Sequence, residues 1–279
     1  MTPRLAVAVT AWRESRRAGF SWIRECLAAP AAHPAVGDVV VYDDGSDDAD
    51  QLEAALADMA PRVRLVRGER NLGVFGAKLA SVEAARGDWV LMADSDNIFG
   101  PDALGMLVGL SSWAPVSPEP TDLLCPGFGR PALDYRHLAG DGVRRWRLAD
   151  FPDLAGARMS GCLLNTGNQT VPRERFLEVL APYRGEAFVA SQPDFFPGRL
   201  ADPLIRRRVY DSADSYFINR CWLLSGGALA VVRGLEYIHG SLTPEHQAMV
   251  RSSWEQAPPE KDELPAHYER ELRGAAGIL

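Results

Sequence analysis

The sequence predicts an α/β fold in which a mostly parallel central sheet is flanked by helices on both faces. In the first part of the chain, short apolar runs alternate with segments whose apolar residues recur at helical spacing, a pattern typical of βαβ units. The run at 89–93 is too short for a helix and suits a strand buried on both faces. Two of the runs end in acidic residues, and in such sheets ligands bind at the carboxyl ends of strands.

The first half of the chain can be divided into strands and helices in order. The strands are predicted at residues 5–10, 38–42, 63–66 and 89–93. We expect Pro30 and Pro34 to stop the first helix, and Ser46 or Asp47 to cap the second. The third helix is expected to end just before Gly87.

The pattern loosens after a stretch rich in Pro and Ser at 113–120, which indicates a boundary between two halves. Residues 127–153 carry several arginines with little periodicity and are predicted to form a long loop. The tail from residue 244 is polar and predicted to be helical. The remaining strands are predicted at 159–165, 168–171 and 229–232, and the remaining helices at 101–110, 173–180 and 215–225.

Bulk composition narrows the classes of function. The chain has 279 residues, 47% hydrophobic and 24% charged, which is ordinary for a globular protein with a sizeable core. A net charge of -7 argues against a nucleic-acid binder, which would present a basic face. The four cysteines are far apart, which favours reduced core residues over a zinc cluster or a disulfide framework. Since no apolar run approaches the ~20 residues of a membrane span, we expect a cytoplasmic protein without a transmembrane segment.

Asp94 and Asp96 directly follow the strand at 89–93 and are one residue apart. On extended backbone, residues i and i+2 point the same way, so both carboxylates can converge beyond the strand end. Two carboxylates that close favour a hard cation such as Mg²⁺ or Mn²⁺, which also binds substrate phosphates. The alternative is a simple turn, because the serine and asparagine here favour turns. A second acidic pair, Asp43 and Asp44, also lies at a strand end, and this coincidence favours a ligand site.

Four stretches, in order, resemble the family 2-type glycosyltransferases of the GT-A fold. They are residues 7–12 (Val-Ala-Val-Thr-Ala-Trp), 40–48 (Val-Val-Tyr-Asp-Asp-Gly-Ser-Asp-Asp), 71–73 (Asn-Leu-Gly) and 85–96 (Ala-Arg-Gly-Asp-Trp-Val-Leu-Met-Ala-Asp-Ser-Asp). Their spacing fits the nucleotide-sugar half of that family over the first ~110 residues. The resemblance implies a compact GT-A domain with a Rossmann-like, mostly parallel sheet. Its parts would be a donor half at 1–112, an acceptor-binding and catalytic half at 121–243, and a helical tail at 244–279.

Enzymes of this family move a sugar from a nucleoside diphosphate to a hydroxyl or an amine, usually with inversion at the anomeric carbon. The resemblance therefore implies a nucleoside-diphosphate sugar as donor, with uridine as the expected base, and Mn²⁺ or Mg²⁺ as cofactor. The implied roles in the donor site are Asp96 as direct metal ligand, Asp94 near the ribose or the metal, Asp44 accepting a hydrogen bond from the base, Thr10 and Trp12 lining the base pocket, and Lys78 near the phosphates.

The proton of the attacking nucleophile must go to a base on the opposite face of the sugar, and Asp214 is our candidate. Together with Arg220 it resembles the family's acidic catalytic motif, although Ala213 stands where that motif has a glutamate. Asp211 is an alternative base, and an aspartate directly before a helix is also a common N-cap. The resemblance further implies that His239 joins the metal site, whereas a single histidine is more often structural.

Two other functions stay open as alternatives. A sugar nucleotidyltransferase would share the sheet and the metal carboxylates, but it normally carries a Gly-rich loop after the first strand, where Ala11-Trp12-Arg13-Glu14 stands. A nucleotide-sugar-binding protein without catalysis would keep the donor site and lack the glutamate before the base. The expected acceptor is a small molecule, a glycan or a natural-product scaffold, and residues 167–173 resemble the segment that lines the family's acceptor pocket.

Overall fold

A single sheet of ten strands organises the part of the chain that the structure describes. This structure is a computed structural model, and it describes residues 4–16, 18–109, 119–130, 133–150, 168–185 and 214–240. The strands are β1 Leu5–Ala11, β2 Val36–Asp43, β3 Arg64–Arg67, β4 Trp89–Asp94, β5 Asn97–Ile98, β6 Asp122–Arg130, β7 Leu133–Asp134, β8 Val143–Arg147, β9 Thr170–Pro172 and β10 Ala228–His239. Their order is β3-β2-β1-β4-β9-β6-β10-β5, with β7 beside β6 and β8 beside β10.

Helices cover both faces of this sheet, which confirms the predicted α/β class. The helices of the described ranges are α1 Ser21–Ala32, α2 Ala49–Leu56, α3 Gly73–Ala84, α4 Pro101–Gly109, α5 Arg173–Leu180 and α6 Asp214–Leu224. Successive side chains of a strand point to opposite faces, so a strand between two layers must be apolar throughout. In β1, Ala6 and Ala8 pack in the core that contains α3, α5 and α6, whereas Val7 and Val9 pack in the core that contains α1, α2 and α4. None of these helices is long and apolar enough to cross a membrane.

The strand directions bring several carboxyl ends to one edge of the sheet, called the carboxyl edge below. β1 pairs in parallel with both β2 and β4, and β2 pairs in parallel with β3. β9 is antiparallel to β4 and to β6, and β10 is parallel to β6. It follows that β10 runs in the same direction as β1, and that its last residue, His239, lies at the same edge as the ends of β2 and β4.

The predicted loop at 127–153 is wrong, because this stretch contains the end of β6, all of β7 and all of β8. The arginines of β8 indicated an exposed loop, but they are accommodated in a strand because neighbouring side chains in the fold compensate their charges. Arg145 forms an ion pair with the fully buried Asp122 at 2.8 Å, and the Arg144 guanidinium lies 4.0 Å from the centre of the Trp146 ring. The beginning of β6 was also missed, since Pro126 interrupts its sequence and proline normally argues against a central strand.

Two predictions about helix ends are also wrong. Pro30 lies inside α1, which continues to Ala32 and ends two residues before Pro34. The first residue before α2 is Asp48, and neither predicted cap serves that helix. The Ser46 hydroxyl instead accepts a hydrogen bond from the Arg13 backbone N–H at 2.9 Å.

The other predictions for the second half differ in their outcome. The helix at 173–180 is confirmed in full, and those at 215–225 and 101–110 are confirmed within one residue at each end. The strand at 229–232 is part of the longer β10, and the strand at 168–171 corresponds to Thr170–Pro172. The predicted strand at 159–165 and the helical tail from residue 244 lie outside the described residues.

Candidate functional site

The carboxyl edge places three of the predicted donor-site residues on neighbouring strand ends. Thr10 of β1 pairs with Asp94 of β4 on one side and with Tyr42 of β2 on the other. The Asp44 backbone N–H, directly after β2, donates to the Ala11 carbonyl at 2.9 Å. Both acidic pairs therefore lie at the ends of the two parallel strands that flank β1, and these strand ends are where the sequence predicts a ligand site.

Asp44 lies in the segment that leads from the end of β2 to α2 (residues 43–48, called the β2 loop), and the beginning of α3 holds it there. Its two carboxylate oxygens accept hydrogen bonds from the backbone N–H groups of Leu72 at 2.8 Å and Gly73 at 3.1 Å. Burial raises the pKa of Asp44 to about 6, and these two hydrogen bonds partly oppose the rise. The carboxylate is therefore fixed in orientation while it keeps further lone pairs that can accept from a ligand.

Trp12 stands in the turn after β1 (residues 12–16, the β1 turn), with 41% of its surface exposed. The Arg13 guanidinium lies 4.8 Å from the centre of the Trp12 ring. The turn is attached to the β2 loop by the Arg13–Ser46 bond and by the Ser15 backbone N–H, which donates to the Asp48 carboxylate at 2.8 Å. An exposed aromatic ring on an anchored turn beside Asp44 can stack on a planar ligand.

Asp94 begins the acidic loop (residues 94–97) and is held by a buried lysine. The Lys78 Nζ lies 3.1 Å from one Asp94 oxygen, and the Asn97 side-chain amide donates to the other at 3.3 Å. The Lys78 side chain is only 2% exposed, compared with 31% for Asp94. The structure pairs Lys78 with the carboxylate of Asp94, and the expected position of Lys78 near the phosphates of a donor stays a prediction.

His239 and Asp96 are brought to the same corner of the carboxyl edge by β5 and β10. His239 pairs with Asn97 across these strands, and the Gly240 backbone N–H donates to the Asn97 side-chain oxygen at 3.0 Å. A Cβ on Gly240 would lie 1.9 Å from the Asp96 carbonyl oxygen, so only glycine permits this close approach. The His239 Nδ1 is 3.0 Å from the Tyr237 hydroxyl, which holds the ring from the side of that nitrogen.

The donor set at this corner fits a divalent cation of the Mn²⁺ or Mg²⁺ kind. Carboxylates suit both ions, and imidazole is an acceptable ligand for transition metals. Both Asp96 and His239 are half-buried, and the Tyr237 hydroxyl is the kind of partner that orients a metal-binding histidine. Among the described residues, however, no group of three or more His, Cys, Asp or Glu side chains is already arranged to hold a metal ion.

Asn168 is a site residue that the sequence interpretation missed in this role. Its side-chain oxygen accepts from the Asp94 backbone N–H at 3.0 Å and from the Asn97 amide at 3.2 Å, and the residue is fully buried. Residues 168–172 are all buried, and the Asn168 side chain supports the acidic loop through these two hydrogen bonds. The expectation that residues 167–173 line an acceptor pocket stays a prediction. The only signal was the presence of two amides directly before an apolar strand.

Glu14 is a second missed residue, because an acidic residue in a polar turn is expected to face solvent. It is 1% exposed, and its Oε1 accepts from the Ser95 hydroxyl at 2.7 Å and from the Trp12 backbone N–H at 3.2 Å. The carboxylate therefore joins the β1 turn to the centre of the acidic loop.

Asp214 is the first residue of α6, and neither its side chain nor Asp211 is among the groups that the structure describes. The position of α6 follows from the packing of Phe217, which lies three residues after Asp214. The Phe217 ring packs edge-on against Phe75 at 5.1 Å, and Phe75 belongs to the first turn of α3, which begins beside Asp44. The beginning of α6 therefore lies on the side of the carboxyl edge.

Comparison with known proteins links this geometry to sugar-transfer proteins. Residues 7–116 match a family model described as "Glycosyl transferase family 2". The succinoglycan biosynthesis protein ExoO of Rhizobium meliloti (strain 1021) is 42% identical over 225 residues, which cover 78% of this chain and 56% of ExoO. The chain thus spans little more than half the length of this relative.

Solved structures resemble the fold over most of the chain. TarS of S. aureus in complex with UDP-GlcNAc has a TM-score of 0.55 at 15% identity, covering 88% of this chain and 60% of that one. The mannosyltransferase PcManGT of Pyrobaculum calidifontis, in complex with GDP-Man and Mn²⁺, has a TM-score of 0.55 at 18% identity, covering 89% and 60%. At these identities the likeness concerns the fold alone.

Proposed function

We propose that this chain, which belongs to the family 2-type glycosyltransferases of the GT-A fold, transfers a sugar from a nucleoside-diphosphate sugar to a glycan acceptor. The observation that carries this proposal is the convergence of Asp44, Thr10, Trp12 and the acidic loop on one edge of the sheet. Each of these groups can recognise a different part of a nucleotide sugar. Along the edge, Asp44 at the end of β2 would face the base, and the acidic loop at the end of β4 would face the ribose and the diphosphate.

In this proposal the base binds between the β1 turn and the β2 loop. Asp44 accepts a hydrogen bond from the base, Trp12 covers a face of the ring, and Thr10 lies at the floor of the pocket. Uracil is the expected base, because TarS was crystallised with UDP-GlcNAc. Guanine is the alternative that a screen must include, because PcManGT was crystallised with GDP-Man.

The diphosphate binds at the acidic loop together with Mn²⁺ or Mg²⁺. Asp96 and His239 would hold the ion, and Asp94 would lie beside the ribose or the ion while Lys78 and Asn97 fix its orientation. When bound, such an ion neutralises the charge that develops on the departing diphosphate. The half-exposed carboxylate of Asp94 is pre-positioned by buried partners, which lowers the cost of ordering it during binding.

Asp214 is proposed as the base that removes the proton from the acceptor hydroxyl or amine, with inversion at the anomeric carbon. The supporting observation is that α6 begins on the side of the carboxyl edge, as the packing of Phe217 on Phe75 indicates. Asp211, three residues earlier in the chain, is the alternative base. The acceptor class is proposed to be a glycan, because the relative ExoO is named for the biosynthesis of succinoglycan.

The test is to incubate the protein with UDP- and GDP-sugars, Mn²⁺ and a set of oligosaccharides. Release of nucleoside diphosphate together with a lengthened oligosaccharide would support the proposal. In a parallel incubation with a sugar phosphate and a nucleoside triphosphate, release of pyrophosphate from the triphosphate would instead support a sugar nucleotidyltransferase. Tight donor binding without any turnover would support the catalytically inactive binding protein.

The proposed base is tested by Asp214→Asn, which should reduce transfer by about 100-fold or more while donor affinity is kept. Asp102→Asn is a matched control, because Asp102 is an exposed aspartate in the first turn of another helix, α4. Near-normal turnover in Asp214→Asn would exclude it as the base, and Asp211→Asn would then be measured in the same assay.

A further inference from the structure

Glu14 is an unusual carboxylate for a polar turn, because it is 1% exposed and is hydrogen-bonded to the acidic loop. One oxygen, Oε1, accepts two hydrogen bonds from groups on either side of the donor site. The Ser95 hydroxyl donates at 2.7 Å and the Trp12 backbone N–H donates at 3.2 Å. Ser95 itself is 1% exposed and lies between Asp94 and Asp96 in sequence.

The β1 turn is hydrogen-bonded to the β2 loop as well as to the acidic loop, so a displacement of Glu14 would shift groups at both ends of the site. The Arg13 and Ser15 backbone N–H groups bond to Ser46 and Asp48 of the β2 loop at 2.9 Å and 2.8 Å. Through Ser95, the same turn is bonded to the acidic loop, 81 residues away in the chain. The base-binding and the metal-binding parts of the site thus share one buried carboxylate.

The charge of Glu14 acts on the same region as the two aspartates of the acidic loop. The buried thiol of Cys26 donates to the Asp94 backbone carbonyl at 3.7 Å and lies within electrostatic range of all three carboxylates. Burial raises the pKa of the Cys26 thiol, and the negative charges of the acidic-loop aspartates and of Glu14 raise it further. A third carboxylate behind the loop increases the attraction of the site for a cation.

We infer that Glu14 is a positioning residue that couples nucleotide binding at Trp12 to metal binding at the acidic loop through the Ser95 hydroxyl. This inference rests on the proposed function. It adds that metal and nucleoside diphosphate bind cooperatively, because each ligand orders a segment to which the same carboxylate is bonded. A purely structural Glu14 would support the fold without influencing how much Mn²⁺ strengthens nucleotide binding.

The test measures, by calorimetry, the factor by which Mn²⁺ increases the affinity for UDP, or for GDP if the screen above selects it. Ser95→Ala removes the hydroxyl and leaves the Glu14–Trp12 bond in place. It should leave metal-free nucleotide affinity nearly unchanged and reduce the Mn²⁺ enhancement by about 10-fold, as other residues that orient metal ligands do. Glu14→Ala should reduce the Mn²⁺ enhancement further, by up to about 100-fold. Glu14→Gln keeps an oxygen acceptor for both bonds and should regain a measurable part of the enhancement.

Asp122→Asn is the matched control, because Asp122 is a fully buried carboxylate that pairs with Arg145 in another part of the sheet. It should lower stability and leave the Mn²⁺ enhancement at its wild-type value. The inference is overturned if folded Ser95→Ala and Glu14→Ala proteins both keep the wild-type enhancement. If the wild-type protein itself binds UDP and GDP no better with Mn²⁺, the proposed metal-dependent function fails, and the inference fails with it.

Discussion

The β2 loop and the acidic loop each present an aspartate at the carboxyl edge, but the two carboxylates are held in different ways. Asp44 accepts hydrogen bonds from neutral backbone N–H groups, whereas Asp94 faces the ammonium group of Lys78. With neutral donors, the cost of burial dominates and the pKa of Asp44 rises to about 6. A full positive charge compensates a carboxylate much more strongly than a neutral donor does. The β2 loop therefore holds a carboxylate whose pKa is raised by burial, and the acidic loop holds one whose charge is compensated by an ammonium group.

The largest expected effect concerns the proposed metal ligand of the acidic loop. Asp96→Asn should reduce sugar transfer by about 100-fold or more, because the proposed ion would lose its direct carboxylate ligand. Transfer rate against Mn²⁺ concentration is the measurement. Asp88→Asn is the control, since Asp88 is an exposed aspartate that precedes the same strand at its opposite end. Equal Mn²⁺ dependence in both variants would contradict the assignment.

The next effect tests the charge compensation of Asp94. Lys78→Met should lower the free energy of unfolding by about 3 kcal/mol, because it removes one partner of a largely buried ion pair. The double variant Lys78→Met/Asp94→Asn should recover part of this loss, because it also removes the uncompensated charge. Urea unfolding of the wild type, of Lys78→Met, of Asp94→Asn and of the double variant is the measurement. A double variant that is less stable by the sum of both single losses would show that the two groups do not interact.

The smallest expected effect concerns Asp44 in the β2 loop and the dependence of stability on pH. The folded-state pKa of Asp44 is raised from 3.8 to about 6, so the folded protein binds the proton more tightly than the unfolded chain does. The stabilisation from this group is fully present below pH 3.8 and is lost as the pH rises through about 6, by about 2 kcal/mol between pH 4 and 6. Asp44→Asn should remove this part of the pH dependence. Urea unfolding at several pH values is the measurement, and an unchanged profile in the variant would contradict the raised pKa.

The helices show how far local sequence signals reach. Residues 173–180 were predicted correctly because the apolar spacing and the preceding proline are both local features. Pro30 predicts a helix stop, yet α1 continues through it because tertiary packing buries Ile23, Leu27 and Pro30 itself on the same helix. The arginines of β8 predict a loop, yet they form a strand because they find partners such as Asp122, whose position depends on another strand.

The site residues divide in the same way. Asp94 and Asp44 could be predicted because both follow apolar strands, and parallel strands bring their carboxyl ends together. Glu14 and Asn168 could not, because an acid in a turn and an amide before a strand are common in any protein. Their roles come from contacts with residues 81 and 74 positions away in the chain.

The sequence by itself determined the α/β class, the strand ends that carry the acidic residues, and the family that these residues resemble. These features depend on periodicity and on short motifs, which are properties of neighbouring residues. Only the tertiary structure decided that Lys78 pairs with Asp94, that His239 lies beside the acidic loop, and that Glu14 joins the two parts of the site. Such pairings depend on which buried polar groups meet when distant segments pack, because each of them must then find a partner.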